Sequence, residues 1–95
     1  MQRNENYAYS CGYEADRKGK IYDPRHRRVT LINSGGYELF RVDGFRVFAH
    51  RLVWLCFHGE IPDGYVIHHE NRRRDDNRIE NLLAMSPADH ADEHR

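Results

Sequence analysis

Apolar and polar positions alternate with a period of two through the first half of this chain, merge into one continuous apolar run, and then alternate again. Lys20-Ile21-Tyr22 is a short strand candidate closed by Asp23-Pro24, and Arg28-Val29-Thr30-Leu31-Ile32 alternates before the turn Asn33-Ser34-Gly35-Gly36. Tyr37 to Val42 carries β-prone residues on both faces, Asp43-Gly44 is a two-residue hairpin signal, and Phe45 to Ala49 is the returning strand. These segments predict a small antiparallel sheet. The run from Leu52 to Phe57 is too continuous for a half-exposed strand and stops before Gly59, a helix-terminating residue. Residues 50–58 are therefore expected to form a buried helix, with Trp54 and Phe57 in the core.

Beyond the loop Glu60 to Gly64, Tyr65 to His69 reads as a strand, and Glu70 to Asn77, which holds no apolar residue, as a surface loop. Arg78 to Asn81 is a turn and Leu82 to Met85 a short strand. A last helix then starts: Ser86 is a good N-cap, Pro87 suits the first helical position, and Asp89 puts a negative charge at the positive helix end. Met1 to Gly12 shows no periodicity and is expected to be a loose arm. The pattern predicts a single α+β domain over residues 1–95: a small antiparallel sheet plus a buried helix, followed by a strand, loop, strand, helix unit over residues 65–95.

Composition narrows the function classes. Fifteen basic and 15 acidic side chains cancel, which excludes a simple basic nucleic-acid-binding tail. Hydrophobic residues at 39% and aromatic residues at 12% support a small core, whose stability at 95 residues is expected to be marginal enough for a bound metal to matter. Zero net charge hides local patches: six basic residues and one acid lie between Arg17 and Arg28, and Arg72, Arg73 and Arg74 form an uninterrupted triplet. Thirteen of the 15 basic residues are arginine, the side chain suited to forked contacts with phosphate. Two cysteines, Cys11 and Cys56, build neither a four-thiolate zinc site nor a disulfide framework, which points to a reducing, intracellular compartment. Met1 to Ser10 lacks the apolar segment of a signal peptide, and no run approaches the ~18 apolar residues of a membrane span.

The candidate chemistry lies in the histidines. His90 and His94, four apart on the expected last helix, project from one face and reach one metal ion. His68 and His69 are neighbours on a strand and point to opposite faces, so one can ligate while the other stays free. A metal-assisted phosphodiester hydrolase needs this division: a cation on neutral imidazoles with open positions, and a separate histidine within reach of water. Asn81, twelve residues after His69, offers an amide or a backbone carbonyl to accept the other ring N–H of His69 and fix its tautomer. A turn-forming role for Asn81 is compatible with this.

His69, Asn81 and His90 in that order, with Ala49-His50-Arg51-Leu52-Val53-Trp54 upstream, Gly59 to Gly64 between, and Asp76-Asn77-Arg78-Ile79-Glu80-Asn81-Leu82 downstream, form a pattern that resembles the HNH homing-type endonucleases common in phages. The resemblance extends from about Gly36 to His90. It implies a ββα-metal (His-Me finger) core over residues 65–95, one divalent metal ion and cleavage of DNA phosphodiester bonds. By position it implies that His68 and His90 ligate the metal, that His69 is the general base and that Asn81 orients it. Many relatives carry Asp or Asn before the base and Asn on the helix; the imidazoles of His68, His90 and His94 give up to three nitrogen ligands, which among Mg, Mn, Ni and Zn favours the transition metals. Arg72 stands where relatives often have glycine, and is expected to strain the turn or to add a phosphate contact.

The expected mechanism has His69 deprotonate a water that attacks phosphorus in line, while the metal stabilises the leaving oxygen. Arg72, Arg73, Arg74, Arg25, Arg27 and Arg28, together with Arg51 at the start of the buried helix, are candidate DNA contacts, which position a duplex without reading its sequence. Specificity is then expected to be low or to be borrowed from a homodimer mate or a phage or host protein partner. The alternative from another class is a non-catalytic zinc-stabilised ββα module that binds DNA or protein, with the same histidines closed around the ion.

Overall fold

The computed structural model describes residues 4–89. In chain order the elements are helix α1 (Asn4–Ser10), strands β1 (Glu14–Ala15), β2 (Ile21–Tyr22), β3 (Ile32–Ser34), β4 (Tyr37–Val42) and β5 (Phe45–Phe48), helix α2 (Ala49–His58), strand β6 (Val66–His69), a 3-10 turn at Ile79–Asn81 and strand β7 (Leu82–Met85). Three antiparallel sheets result, β1-β2, β3-β4-β5 and β6-β7. This is an α+β fold.

Both tight turns of the central sheet are two-residue hairpins of the kind that needs positive φ at both central positions. Gly35 and Gly36 (φ 61° and 89°) connect Ser34 to its partner Tyr37, and Asp43 and Gly44 (φ 50° and 83°) connect Val42 to Phe45. Of the alternating stretch at residues 28–32, only Ile32 joins a strand. Asp23 accepts hydrogen bonds from the backbone N–H of Arg25 and Arg27, turning the chain back so that Arg28 pairs with Tyr22 and Val29 N–H with the Ile21 carbonyl. The segment then crosses to the central sheet and pairs there only from Ile32.

α2 packs against α1, β1 and the central sheet, and also touches β6. Its buried face is Ala49, His50, Leu52, Val53 and Leu55. Trp54 is only half-buried at the core margin, and Phe57 is 38% exposed, contrary to the core positions expected for them. The Phe57 ring lies under the Arg17 guanidinium, 5.7 Å away. Both cysteines are free thiols.

The expected loose arm is instead α1. A seven-residue helix has little stability of its own, so its order comes from tertiary contacts. Ala8 is fully buried in the core, and the Tyr7 ring meets Phe45 edge-on while its hydroxyl donates to Asp43. Glu5 is only 4% exposed; its carboxylate accepts from the Phe48 N–H (3.1 Å) at the start of α2 and pairs with Arg51 Nε (3.1 Å). That anionic acceptor satisfies one of the free N–H groups at the start of α2 and complements its dipole from another element. Among the described residues no helix is long and apolar enough to cross a membrane.

Removing one member of a buried ion pair leaves the other charge uncompensated, at a cost of about 3 kcal/mol. Glu5→Ala is therefore expected to lower the unfolding free energy by about that amount in a urea titration, and Glu5→Gln, which keeps an acceptor for Phe48, by less; an unchanged midpoint in Glu5→Ala would contradict the clasp.

Candidate active site

The closing hairpin pairs Val66 with Met85, Ile67 with Ala84, His68 with Leu83 and His69 with Leu82. Strand alternation sends the two histidines to opposite faces, as expected: His69 is 4% exposed, whereas His68 is half-buried on the other side.

Between the strands, residues 70–81 form a loop held almost entirely by its own polar groups, and Asn81 is its hub. Its side-chain carbonyl accepts from the Asn71 N–H (3.1 Å), its amide donates to Asn71 Oδ1 (3.0 Å) and to the Asp76 carbonyl (2.9 Å), and its backbone carbonyl accepts from the Glu70 N–H (2.8 Å). Asp76 binds Arg78 through both carboxylate oxygens at 2.8 Å, and this guanidinium holds its carboxyl well below the usual carboxylate range. Arg72 turns the chain with a φ of 63°, the strained conformation anticipated where relatives have glycine, and its N–H donates to the His69 carbonyl (2.9 Å). Both polar atoms of the Asn81 side chain thus bond within the loop, and no bond between Asn81 and His69 forms.

The partner of His69 is Asn77. His69 Nε2 donates to Asn77 Oδ1 at 3.0 Å, and Asn77 Nδ2 donates to Glu38 Oε1 at 2.9 Å. Asn77 is 3% exposed and so departs from the surface loop expected for residues 70–77. Two contacts from the 16–19 turn seat it: the Ile79 N–H donates to the Arg17 carbonyl (2.9 Å), and Gly19 packs so closely that a Cβ would fall 2.7 Å from Asn77 backbone atoms. Burial pushes the Glu38 carboxyl up, as does nearby Asp75, while the Asn77 amide, Lys20 and Arg28 pull it down.

The His69 ring also lies in an aromatic nest. Its centroid is 4.9 Å from His50 and 6.0 Å from Tyr37, and His50 stacks on Tyr37 at 5.4 Å. His50 is 7% exposed with an unpartnered Nδ1; burial first, then the neighbouring His69 and Arg51, push it down to about 3. A neutral ring therefore covers one side of His69.

The arginines divide. Arg25, Arg27, Arg28, Arg72 and Arg73 have exposed positions, and Arg28 lines an open groove with Val29, Thr30, Leu31 and Glu38. Arg27 pairs with Asp23 but remains 71% exposed at the side chain. Arg74 is a tie between elements: it donates to the Gly35 carbonyl (3.0 Å) and sits over the Tyr37 ring (4.9 Å). Arg51, only 11% exposed and bound to Glu5, is set apart from the exposed arginines.

His90 and His94 lie outside the described residues; up to Asp89 the expected helix start is present, with residues 87–89 helical and the Asp89 N–H donating to Ser86 Oγ (3.2 Å). Among the described residues no group of three or more His, Cys, Asp or Glu side chains could hold a metal ion.

Sequence reasoning missed Asn77, Glu38 and Tyr37. Asn77 stands inside the downstream motif, but a period-free polar stretch gives no sign of which amide turns inward. Glu38 and Tyr37 belong to a hairpin remote in sequence.

The HNH endonuclease family model matches residues 47–92. Among solved structures, one described as DNA binding and cleavage by the HNH homing endonuclease I-HmuI is similar, with a TM-score of 0.71 and 20% identity over 86% of this chain and 51% of that one. The present chain thus spans about half the length of that protein, and at this identity the likeness is one of fold. Among curated proteins no sequence matches the chain.

The neutral His50 ring sets a pH dependence. Its value falls from an ordinary 6.5 to about 3 in the fold, so the unfolded chain binds the extra proton first as acid is added. The contribution of this ring to stability is full above pH 6.5 and is lost as pH falls toward about 3. In urea titrations the slope between pH 6.5 and about 4.5, above most carboxylates, is expected to flatten in His50→Phe, which keeps the ring against Tyr37 without a titratable nitrogen.

Proposed function

The chain belongs to the HNH endonuclease family, and on that premise we propose that it is a metal-dependent DNA endonuclease in which His69 is the general base for phosphodiester hydrolysis. The observation that carries this reading is the hydrogen bond from His69 Nε2 to Asn77 Oδ1. A carbonyl oxygen only accepts, so Nε2 carries the ring proton and Nδ1 keeps the lone pair. An imidazole fixed in one tautomer and orientation is what proton abstraction from water requires. Neutral His50 alongside adds no positive charge that would weaken the base. Water delivers its proton to Nδ1 as its oxygen bonds to phosphorus, and the bond to the leaving oxygen breaks in line.

His68 is the one proposed metal ligand among the described residues, and it suits the role because strand alternation keeps it off the face that holds His69. His90 and His94 would complete a set of imidazole nitrogens, a donor chemistry that fits a divalent ion such as Mn, Ni or Zn better than Mg. A divalent cation bound there supplies positive charge to the phosphate and to the leaving oxygen. Asn81 acts one step away from the chemistry, holding the loop that carries Asn77. Arg25, Arg27, Arg28, Arg72 and Arg73 are the proposed backbone contacts to DNA, supported by their exposure and by the fold shared with an enzyme described as binding and cleaving DNA. A zinc-stabilised module that does not cut has no need of an oriented imidazole at His69.

The test is plasmid cleavage by metal-stripped protein with Mg, Mn, Ni or Zn restored singly. Wild type is expected to nick or linearise the plasmid with at least one ion. His69→Ala is expected to lose about 100- to 10,000-fold in rate while still retarding DNA in a gel; cleavage at the wild-type rate would overturn the assignment. Arg28→Ala and Arg73→Ala are expected to keep the cleavage chemistry and to weaken DNA binding, each lowering the slope of log affinity against log salt by roughly one contact.

A further inference from the structure

Glu38 lies on β4, outside the segment that the family model matches, yet its carboxylate accepts from Asn77 Nδ2 at 2.9 Å, and the other end of that amide accepts from His69. We propose that Glu38 is a positioning residue for His69: by accepting from Asn77 Nδ2 it turns the amide oxygen toward the histidine and thereby selects the tautomer with the proton on Nε2. The proposal deepens the reading of His69 as general base and rests on it.

An asparagine amide has two ends of similar size and opposite hydrogen-bonding character. Facing a neutral imidazole, it satisfies the ring either way round, its oxygen accepting from Nε2–H or its NH2 donating to bare Nε2. These two arrangements put the base lone pair on different nitrogens, Nδ1 in the first and Nε2 in the second. Contact with His69 alone therefore leaves the choice open. A carboxylate at the far end closes it, because an ionised carboxylate has only acceptors and pairs with the NH2 end alone.

The geometry leaves Asn77 little freedom to escape this control. It is 3% exposed, with Gly19 against its backbone. Glu38 is itself anchored in register, opposite Asn33 in the β3-β4 pair and next to Tyr37, whose ring packs near His69. A central-sheet hairpin thus dictates a proton position on the closing hairpin.

The experiment uses the full chain. Long-range 15N–1H correlation spectra at pH 8, without metal or DNA, read the His69 tautomer, with His69→Ala assigning the signals. Wild type is expected to show Nε2–H, and Nδ1–H would overturn the proposal. In Glu38→Leu, of similar size with no acceptor, the tautomer is expected to become mixed, and the single-turnover cleavage rate at saturating DNA to fall about 10- to 100-fold with the DNA concentration for half-maximal rate within twofold of wild type. Glu38→Gln, whose amide offers a donor as well as an acceptor and so no longer dictates which end of Asn77 faces it, is expected to give a tautomer mixture and a rate between those of wild type and Glu38→Leu. An unchanged tautomer in folded Glu38→Leu overturns the proposal whatever the rate, because a merely structural contact would lower rate without moving the ring proton. If thermal melting shows that Glu38→Leu does not fold, Glu38→Ser, which withdraws the acceptor without adding apolar surface, takes its place under the same criteria. A wild type that cuts no DNA with any ion removes the assignment of His69 as base, while the tautomer spectra still decide whether Glu38 sets its proton.

Discussion

A polar ring with 4% of its surface exposed has to find hydrogen-bond partners inside the protein, and much of this structure is organised around the partner that His69 finds. Asn77 reaches His69 only because residues 70–81 double back over the β6-β7 hairpin. That loop has no apolar side chain between Glu70 and Asn77 to hold it by burial. Its rigidity comes from the Asn71, Asp76, Arg78 and Asn81 bonds, which substitute local polar geometry for a core. The 16–19 turn closes it from outside, and the strained Arg72 is the backbone cost of its tight path.

What could be read in the sequence followed from periodicity and turn chemistry. Asp43-Gly44 and Gly35-Gly36 mark their hairpins because few residues accept positive φ at two successive positions. The apolar run ending near Gly59 marks α2, and the alternation of His68 and His69 follows from strand geometry alone. The HNH pattern pointed to the segment that the family model matches. Hidden from it were features that depend on distant partners. α1 lacks an apolar stripe of its own and is ordered by Glu5 reaching Phe48 and Arg51, 43 and 46 residues away. The partner of Arg51, Glu5, was hidden for the same reason. Arg28 to Ile32 alternates as a strand would, but strands need neighbours, and β4 pairs only from Ile32 onward.

Asn81 is the most instructive departure. Its position in the motif suggested an orienting contact with His69 or a turn-forming role, and its side-chain bonds match the second. It organises the loop from which Asn77 projects, so the amide that meets His69 lies four residues earlier in sequence. Motif spacing marks the loop. Which of two asparagines in that loop turns inward is decided by packing against Gly19 and Glu38, which no local pattern records.

The clasp made by Glu5 has a bearing on how this domain can be moved between proteins. The segment matched by the family model begins at residue 47, yet it includes a guanidinium neutralised from residue 5, a helix start satisfied by the same carboxylate, and an inward asparagine braced from residues 19 and 38. A graft cut at the motif's own boundaries would carry His69, Asn77 and Arg51 and leave behind the residues that brace them. The smallest transferable unit is therefore set by where the charges of the motif are balanced, and it starts with α1.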